Sequence, residues 1–216
     1  MPKLNANGID IAYETYGEAS GSTIVMIQGL GMPLIAWPPP IIDRLTAAGY
    51  HVIALDNRDT GLSETFHDAG VPNIAWQWFR FRIGLKPRVL YGLRDMAQDV
   101  ASLMARLDVR DAHVVGVSMG GMIGQRLAID HGCRVSSLVS IMSTTGNPRL
   151  PRPEPEVLKK LLISSPGFEV DFNYLEERLR NMYARGMTRG GIARQMLAIG
   201  ADGDRRAELR KLDIPT

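Results

Sequence analysis

The sequence predicts an α/β fold: a mostly parallel sheet with helices on both faces and a helical cap. Three observations predict it. Short, continuous apolar runs such as those within Thr23-Ile24-Val25-Met26-Ile27 and His51-Val52-Ile53-Ala54-Leu55 suit strands buried on both faces. These runs alternate with helix-like stretches, the order that builds parallel sheets through crossover connections. After Gly146 the strand pattern stops, and a proline-spaced stretch leads into helical sequence only.

The elements follow in order. Asn7-Gly8 is a hairpin turn signal between Lys3-Leu4-Asn5 and the alternating Ile9-Asp10-Ile11-Ala12-Tyr13. The chain therefore opens with an antiparallel hairpin. Thr23 to Ile27 is the first buried strand, ended by Gln28-Gly29-Leu30-Gly31. Pro38-Pro39-Pro40 fits at or before a helix start, so Ile41 to Ala48 reads as a helix stopped by Gly49. His51 to Leu55 is the next strand. Residues 59–93 read as irregular and rich in aromatics, with Trp76, Trp78, Phe79, Phe81 and Tyr91. Met96, Val100, Leu103, Met104 and Leu107 then mark one face of a helix, with Asp95 and Asp99 favouring the positive end of its dipole. Ala112 to Val115 is a strand. A helix follows at Ile123 to Ala128, with Gly132 as its expected C-cap. Val135 to Met142 is a further strand.

The expected organisation is a core over residues 1–146, a cap insertion over 147–203, and a return helix within 204–216. Pro148, Pro151, Pro153 and Pro155 stiffen the connector. Val157 to Ile163, Tyr174 to Ala184 and Gly191 to Ile199 are the expected cap helices, and Arg205 to Leu212 the return helix.

Composition narrows the function. The 216 residues can bury a substantial core. A net charge of +2, with no basic run longer than Arg205-Arg206, argues against a nucleic-acid partner. A single cysteine, Cys133, excludes an internal disulfide and argues against a thiolate metal site. No stretch is long and apolar enough to span a bilayer, and the N-terminus has no apolar signal core. The expectation is a soluble, cytoplasmic protein with no cofactor and no metal.

The chemistry is carried by Gly116-Val117-Ser118-Met119-Gly120. Strand, G-x-S-x-G, helix is the setting that strains a serine onto a sharp turn and exposes its hydroxyl. Gly116 and Gly120 leave room where the turn crowds. Ser118 is the candidate nucleophile, at the sheet edge where open α/β folds bind ligands. Met119 opens the next helix, so its N–H is one candidate oxyanion donor. The Gln28-Gly29-Leu30-Gly31 loop follows the first long strand, and Leu30 N–H is the other.

The hairpin, the glycine loop, Asp56-Asn57-Arg58-Asp59-Thr60-Gly61-Leu62-Ser63, the elbow and the helical cap together resemble the α/β-hydrolase superfamily. The D-x-R-D-T-G-x-S stretch and Gly29-Leu30-Gly31-Met32 are similar to its esterase branch, which includes aclacinomycin methylesterase. The resemblance implies ester hydrolysis through an acyl-serine, with Ser118 as nucleophile and Leu30 and Met119 as oxyanion donors. Gln28 stands where the family usually has histidine. The resemblance also implies that the acid and base follow the cap. Leu212-Asp213-Ile214-Pro215-Thr216 resembles the approach to the strand carrying the acid, so a C-terminally truncated form of the fold is expected.

The four histidines offer little in place of that base. His51 and His113 begin strands, at the sheet edge opposite the elbow. His131 lies about 18 Å along the elbow helix at normal rise. His67 alone sits on a loop leaving the correct edge, where a solvated loop histidine is the simpler reading. Asp59 reads as a loop brace paired with Arg58. The aromatics of 76–81 read as packing under a flap, or else as the wall of an acyl pocket.

Two functions stand from the sequence. One is a serine carboxylesterase acting on small esters, weak or completed by a partner. The other is a non-catalytic hydrolase remnant serving as an interaction module. The expected partners are a small ester and a second copy of the chain, joined through the bare edge of the Val135 to Met142 strand or by exchange of the cap.

Overall fold

The computed structural model describes residues 1–85, 87–150 and 172–216. Its sheet has six strands: β1 (Lys3–Ala6), β2 (Ile9–Tyr16), β3 (Thr23–Ile27), β4 (His51–Leu55), β5 (Ala112–Val117) and β6 (Val135–Ile141). Their spatial order is β1-β2-β4-β3-β5-β6. β1 and β2 form the expected hairpin, with Asn7 and Gly8 both at positive φ, 56° and 80°. Such a pair of angles matches the strand twist in a two-residue turn. β2 also runs antiparallel to β4, and all later pairings are parallel. The chain goes from β3 to β4 on one side and returns to β5 on the other. The loops after β3 and β5 therefore flank the point where strand order reverses, the usual ligand crevice of such sheets.

Among the described residues the α-helices are α1 (Pro39–Ala47), α2 (Ile74–Arg82), α3 (Leu93–Arg106), α4 (Met119–Asp130), α5 (Phe172–Ala184), α6 (Arg189–Asp202) and the short α7 (Arg206–Leu209). Period-two alternation in the central strands sorts the core into two layers. Val25, Ile27, Ile53 and Leu55 pack with Met96, Val100, Leu103 and Met104 of α3 and Ile123 and Leu127 of α4. The intervening Ile24, Met26, Val52 and Ala54 face the opposite way, onto Leu34, Trp37 and Ile42. Both faces are thus covered, which is why β3 and β4 contain no polar alternation.

Several boundaries differ from expectation. The region 59–93, expected to be irregular, contains α2, on which Trp76 and Phe79 are exposed and stack on each other at 5.5 Å. They do not pack under a flap. Gly132 does not cap α4. That role falls to His131, and Gly132 opens a single 3-10 turn. The return helix is only four residues long. The expected helix Val157 to Ile163 and the prolines 151, 153 and 155 lie outside the described residues. Beyond α7, Leu212 and Ile214 pack against the core, and Leu138 N–H of β6 donates to Pro215 O at 2.9 Å. The outer edge of β6 is therefore partly paired by the chain itself rather than bare.

Candidate active site

Ser118 stands between β5 and α4 with φ 54° and ψ −115°. A side chain at positive φ is held there only where the surroundings demand it. Here the demand comes from close packing on all sides. A Cβ on Gly116 would lie 2.3 Å from Gly120 O, and one on Gly120 would lie 2.0 Å from Ile27 O. Ser118 N–H donates to Ile141 O at 2.8 Å, which ties the turn to β6. Ser118 itself is half-buried, and Met119 behind it is fully buried.

The glycine loop after β3 lies against this serine. A Cβ on Gly29 would be 3.3 Å from Ser118 Cβ. Met32 N–H closes a turn onto Gly29 O at 3.1 Å, with Gly31 at φ 66°. The structure thus brings the Leu30 segment, Ser118 and Met119 to one place. Among the described residues, neither Leu30 N–H nor Met119 N–H donates to a protein acceptor. Both remain available donors beside the hydroxyl. Asn57 Nδ2 donates to Gln28 O at 3.0 Å, so the loop is braced from the segment after β4 as well.

The segment after β4 is a clamp. Asp56 is fully buried and accepts from Leu34 N–H at 2.6 Å and Leu62 N–H at 2.9 Å, with the Arg185 guanidinium 3.0 Å away. Arg58 and Asp59 do not pair with each other, contrary to expectation. Adjacent side chains diverge, and each finds a distant partner. Arg58 makes a bidentate pair with Asp99 at 2.6 and 2.5 Å, so Asp99 serves this buried pair rather than the α3 dipole. Asp95 does cap, accepting from Gly92 N–H at 2.7 Å.

Asp59 pairs with Arg194 on α6 and accepts from Tyr91 Oη at 2.6 Å and Phe66 N–H at 2.9 Å. Burial pushes the Asp59 carboxyl up, but the hydrogen bonds from Arg194, Tyr91 and Phe66 outweigh it and hold it below the usual carboxylate range. Burial and the Asp59 carboxylate push the Tyr91 hydroxyl up, so it stays a donor.

Among the described residues, no hydrogen bond links any histidine to Ser118. His113 Nδ1 is 2.8 Å from Ser137 Oγ and His51 lies 3.5 Å from Thr23 Oγ1, both within the sheet. Burial lowers the His51 pKa, favouring its neutral form. His131 caps α4, and His67 is exposed at the start of a 3-10 turn. Among the described residues no cluster of three His, Cys, Asp or Glu side chains is arranged to hold a metal. No helix there is long and apolar enough to cross a membrane.

Sequence reasoning missed two residues that reach this site, Arg194 and Gln195. Both are buried on α6, and nothing local distinguishes them from solvated cap residues. Gln195 Oε1 accepts from Gly31 N–H at 2.8 Å, a contact spanning 164 residues.

The fold and this elbow define an α/β hydrolase. The family model for the alpha/beta hydrolase fold matches residues 22–174, well over half of the chain, which belongs to that family. RutD of Variovorax paradoxus (strain S110) is 34% identical over 129 residues, 60% of this chain and 41% of its own length. The rhodomycin D methylesterase DauP of Streptomyces sp. (strain C5) is 33% identical over 129 residues, 60% of this chain and 37% of its own length. The chain thus matches about two fifths of these curated relatives. A hydrolase of Pseudomonas aeruginosa PA01 superposes with a TM-score of 0.69 at 25% identity, covering 100% of this chain and 77% of that one.

Proposed function

We propose that the chain is a serine carboxylesterase that cleaves small carboxylic esters through an acyl-serine intermediate. The carrying observation is Ser118 at φ 54°, seated against the glycine loop. Its Oγ attacks the ester carbonyl carbon. Charge developing on the carbonyl oxygen is met by Leu30 N–H and Met119 N–H, the latter at the positive end of α4. Collapse of the tetrahedral intermediate expels the alcohol, and water then releases the acid. Family membership and the similarity to a methylesterase support the reaction class.

Proton transfer from Ser118 needs a base, and none of the four histidines is hydrogen-bonded to it. Efficient acylation therefore requires a base from a second chain or from further sequence. Without one, oxyanion stabilisation and binding alone leave roughly 10³-fold catalysis over water. Assay of short-chain p-nitrophenyl esters with wild type and Ser118→Ala tests the proposal. A rate that falls with the substitution supports it, together with labelling of Ser118 by a fluorophosphonate probe. Equal rates and no labelling overturn it and leave the non-catalytic interaction module.

A further inference from the structure

Gln195 is completely buried, and its amide is used at both ends. Its Oε1 accepts from Gly31 N–H at 2.8 Å, while its Nε2 donates to Arg58 O and to Thr60 Oγ1, each at 2.8 Å. One side chain thus bridges the turn after β3 and the clamp after β4. A neutral amide suits this position because it needs an acceptor on one side and donors on the other, with no net charge to desolvate.

We infer that Gln195 is a positioning residue for the oxyanion turn. The turn it grips contains Leu30, and Gly31 N–H is the amide next to the candidate donor. A peptide plane at positive φ swings readily when its hydrogen bond is lost. Freed from Gln195, the Gly29–Met32 turn keeps its closing bond and, at its Gly29 end, the bond to Gln28 Oε1 and the Asn57 brace on Gln28 O, while Gly31 N–H itself loses its partner. The grip is rigid because α6 is fixed nearby on several sides. Thr188 Oγ1 caps it from Gly191 N–H at 3.0 Å, Arg194 is locked to Asp59, and Ile192 packs where a Cβ on Gly31 would fall, 2.7 Å away. Residues expected to cover the substrate therefore also set the geometry of the group that stabilises the transition state.

This inference rests on the esterase reading, and its experiment separates the two. Gln195→Met keeps volume and removes both hydrogen-bonding ends. With p-nitrophenyl esters, kcat is expected to drop on the order of 10- to 100-fold, the cost of misplacing a catalytic group by about 1 Å. KM is expected to stay within about twofold, since the turn acts on the transition state. Gln195→Glu is the conservative counterpart. As a neutral acid it offers Gly31 N–H an acceptor and Arg58 O a donor, so it is expected to recover most of kcat at acid pH. Relative to wild type at the same pH, it should lose that rate as the acid ionises. Amide exchange at Gly31 gives a readout independent of turnover: protection in wild type, loss in Gln195→Met. Full kcat in a folded Gln195→Met overturns the inference. If wild type itself neither turns over nor reacts with the fluorophosphonate, the esterase reading fails. Exchange then decides the positioning claim, and a Gly31 amide still protected in Gln195→Met overturns it. Should Gln195→Met not fold, Gln195→Glu decides: a ratio of its kcat to that of wild type that is flat across pH overturns the inference.

Discussion

Asp59 and Arg194, 135 residues apart, form a bidentate ion pair at 2.7 Å through both carboxylate oxygens, with the carboxylate fully enclosed. Through it the helix α6 is fastened to the loop that leaves β4. Tyr91 from a third segment completes the shell around the carboxylate. Breaking one partner leaves a buried charge without compensation. Arg194→Met is therefore expected to destabilise the fold by about 3–5 kcal/mol, and Asp59→Asn combined with Arg194→Met to recover much of the loss. Urea denaturation of wild type and both variants measures this.

The same pair sets a pH dependence. The Asp59 pKa is lowered in the folded protein, so its contribution is present above the unfolded carboxylate pKa and is lost as pH falls through the folded value. Wild-type stability is expected to fall below about pH 4. In Arg194→Met, burial without the cation raises the Asp59 pKa instead. The deficit of that variant should then shrink on acidification and grow as pH rises through the folded value. Parallel melting curves from acid to neutral pH for the two proteins check the sign.

Gly120 is the tightest point of the elbow, with Ile27 O only 2.0 Å from where a Cβ would sit. Gly120→Ala is expected to cost at least the ~1–3 kcal/mol of an overpacked core site. Gly132 faces open space, so Gly132→Ala is expected to stay within about 0.5 kcal/mol of wild type. Thermal melts of the two variants side by side separate crowding from a general intolerance of alanine.

His67 is exposed and hydrogen-bonds to no described part of the site. His67→Ala is expected to leave both melting temperature and ester turnover unchanged within error, about 0.5 kcal/mol in stability. A tenfold drop in turnover would make His67 the missing base.

Val139, Ile141 and Met142 are exposed along and just beyond β6, by 49%, 39% and 68%. Even with Pro215 on Leu138, this surface is an apolar template for association. We expect the 216-residue chain to dimerise at micromolar concentration and Val139→Lys to weaken the dimer. Light scattering that finds wild type monomeric contradicts this.

The central sheet was legible because each strand carries its own cause. After Thr23 and His51 the runs to Ile27 and Leu55 are apolar without a break, and a run of that kind has few places to go but between two helical layers. The elbow was legible for a related reason: Gly116, Ser118 and Gly120 lie within five residues, so steric crowding and backbone strain are written into one short stretch. Helix α2 was not: Trp76 and Phe79 are exposed, so their apolar character does not mark a buried face.

Sequence by itself determined the α/β class, the hairpin, the apolar centre of each buried strand, the tight turn at Ser118 and the place of the glycine loop, all features set by local spacing and local sterics. Only the tertiary structure decided which charged and polar side chains meet. Arg58 turned from Asp59 to Asp99, Asp59 to Arg194, and Gln195 to Gly31, because burial makes every polar group find a partner and the fold dictates which ones lie within about 3 Å. Such contacts span 41, 135 and 164 residues respectively. No periodicity reaches that far.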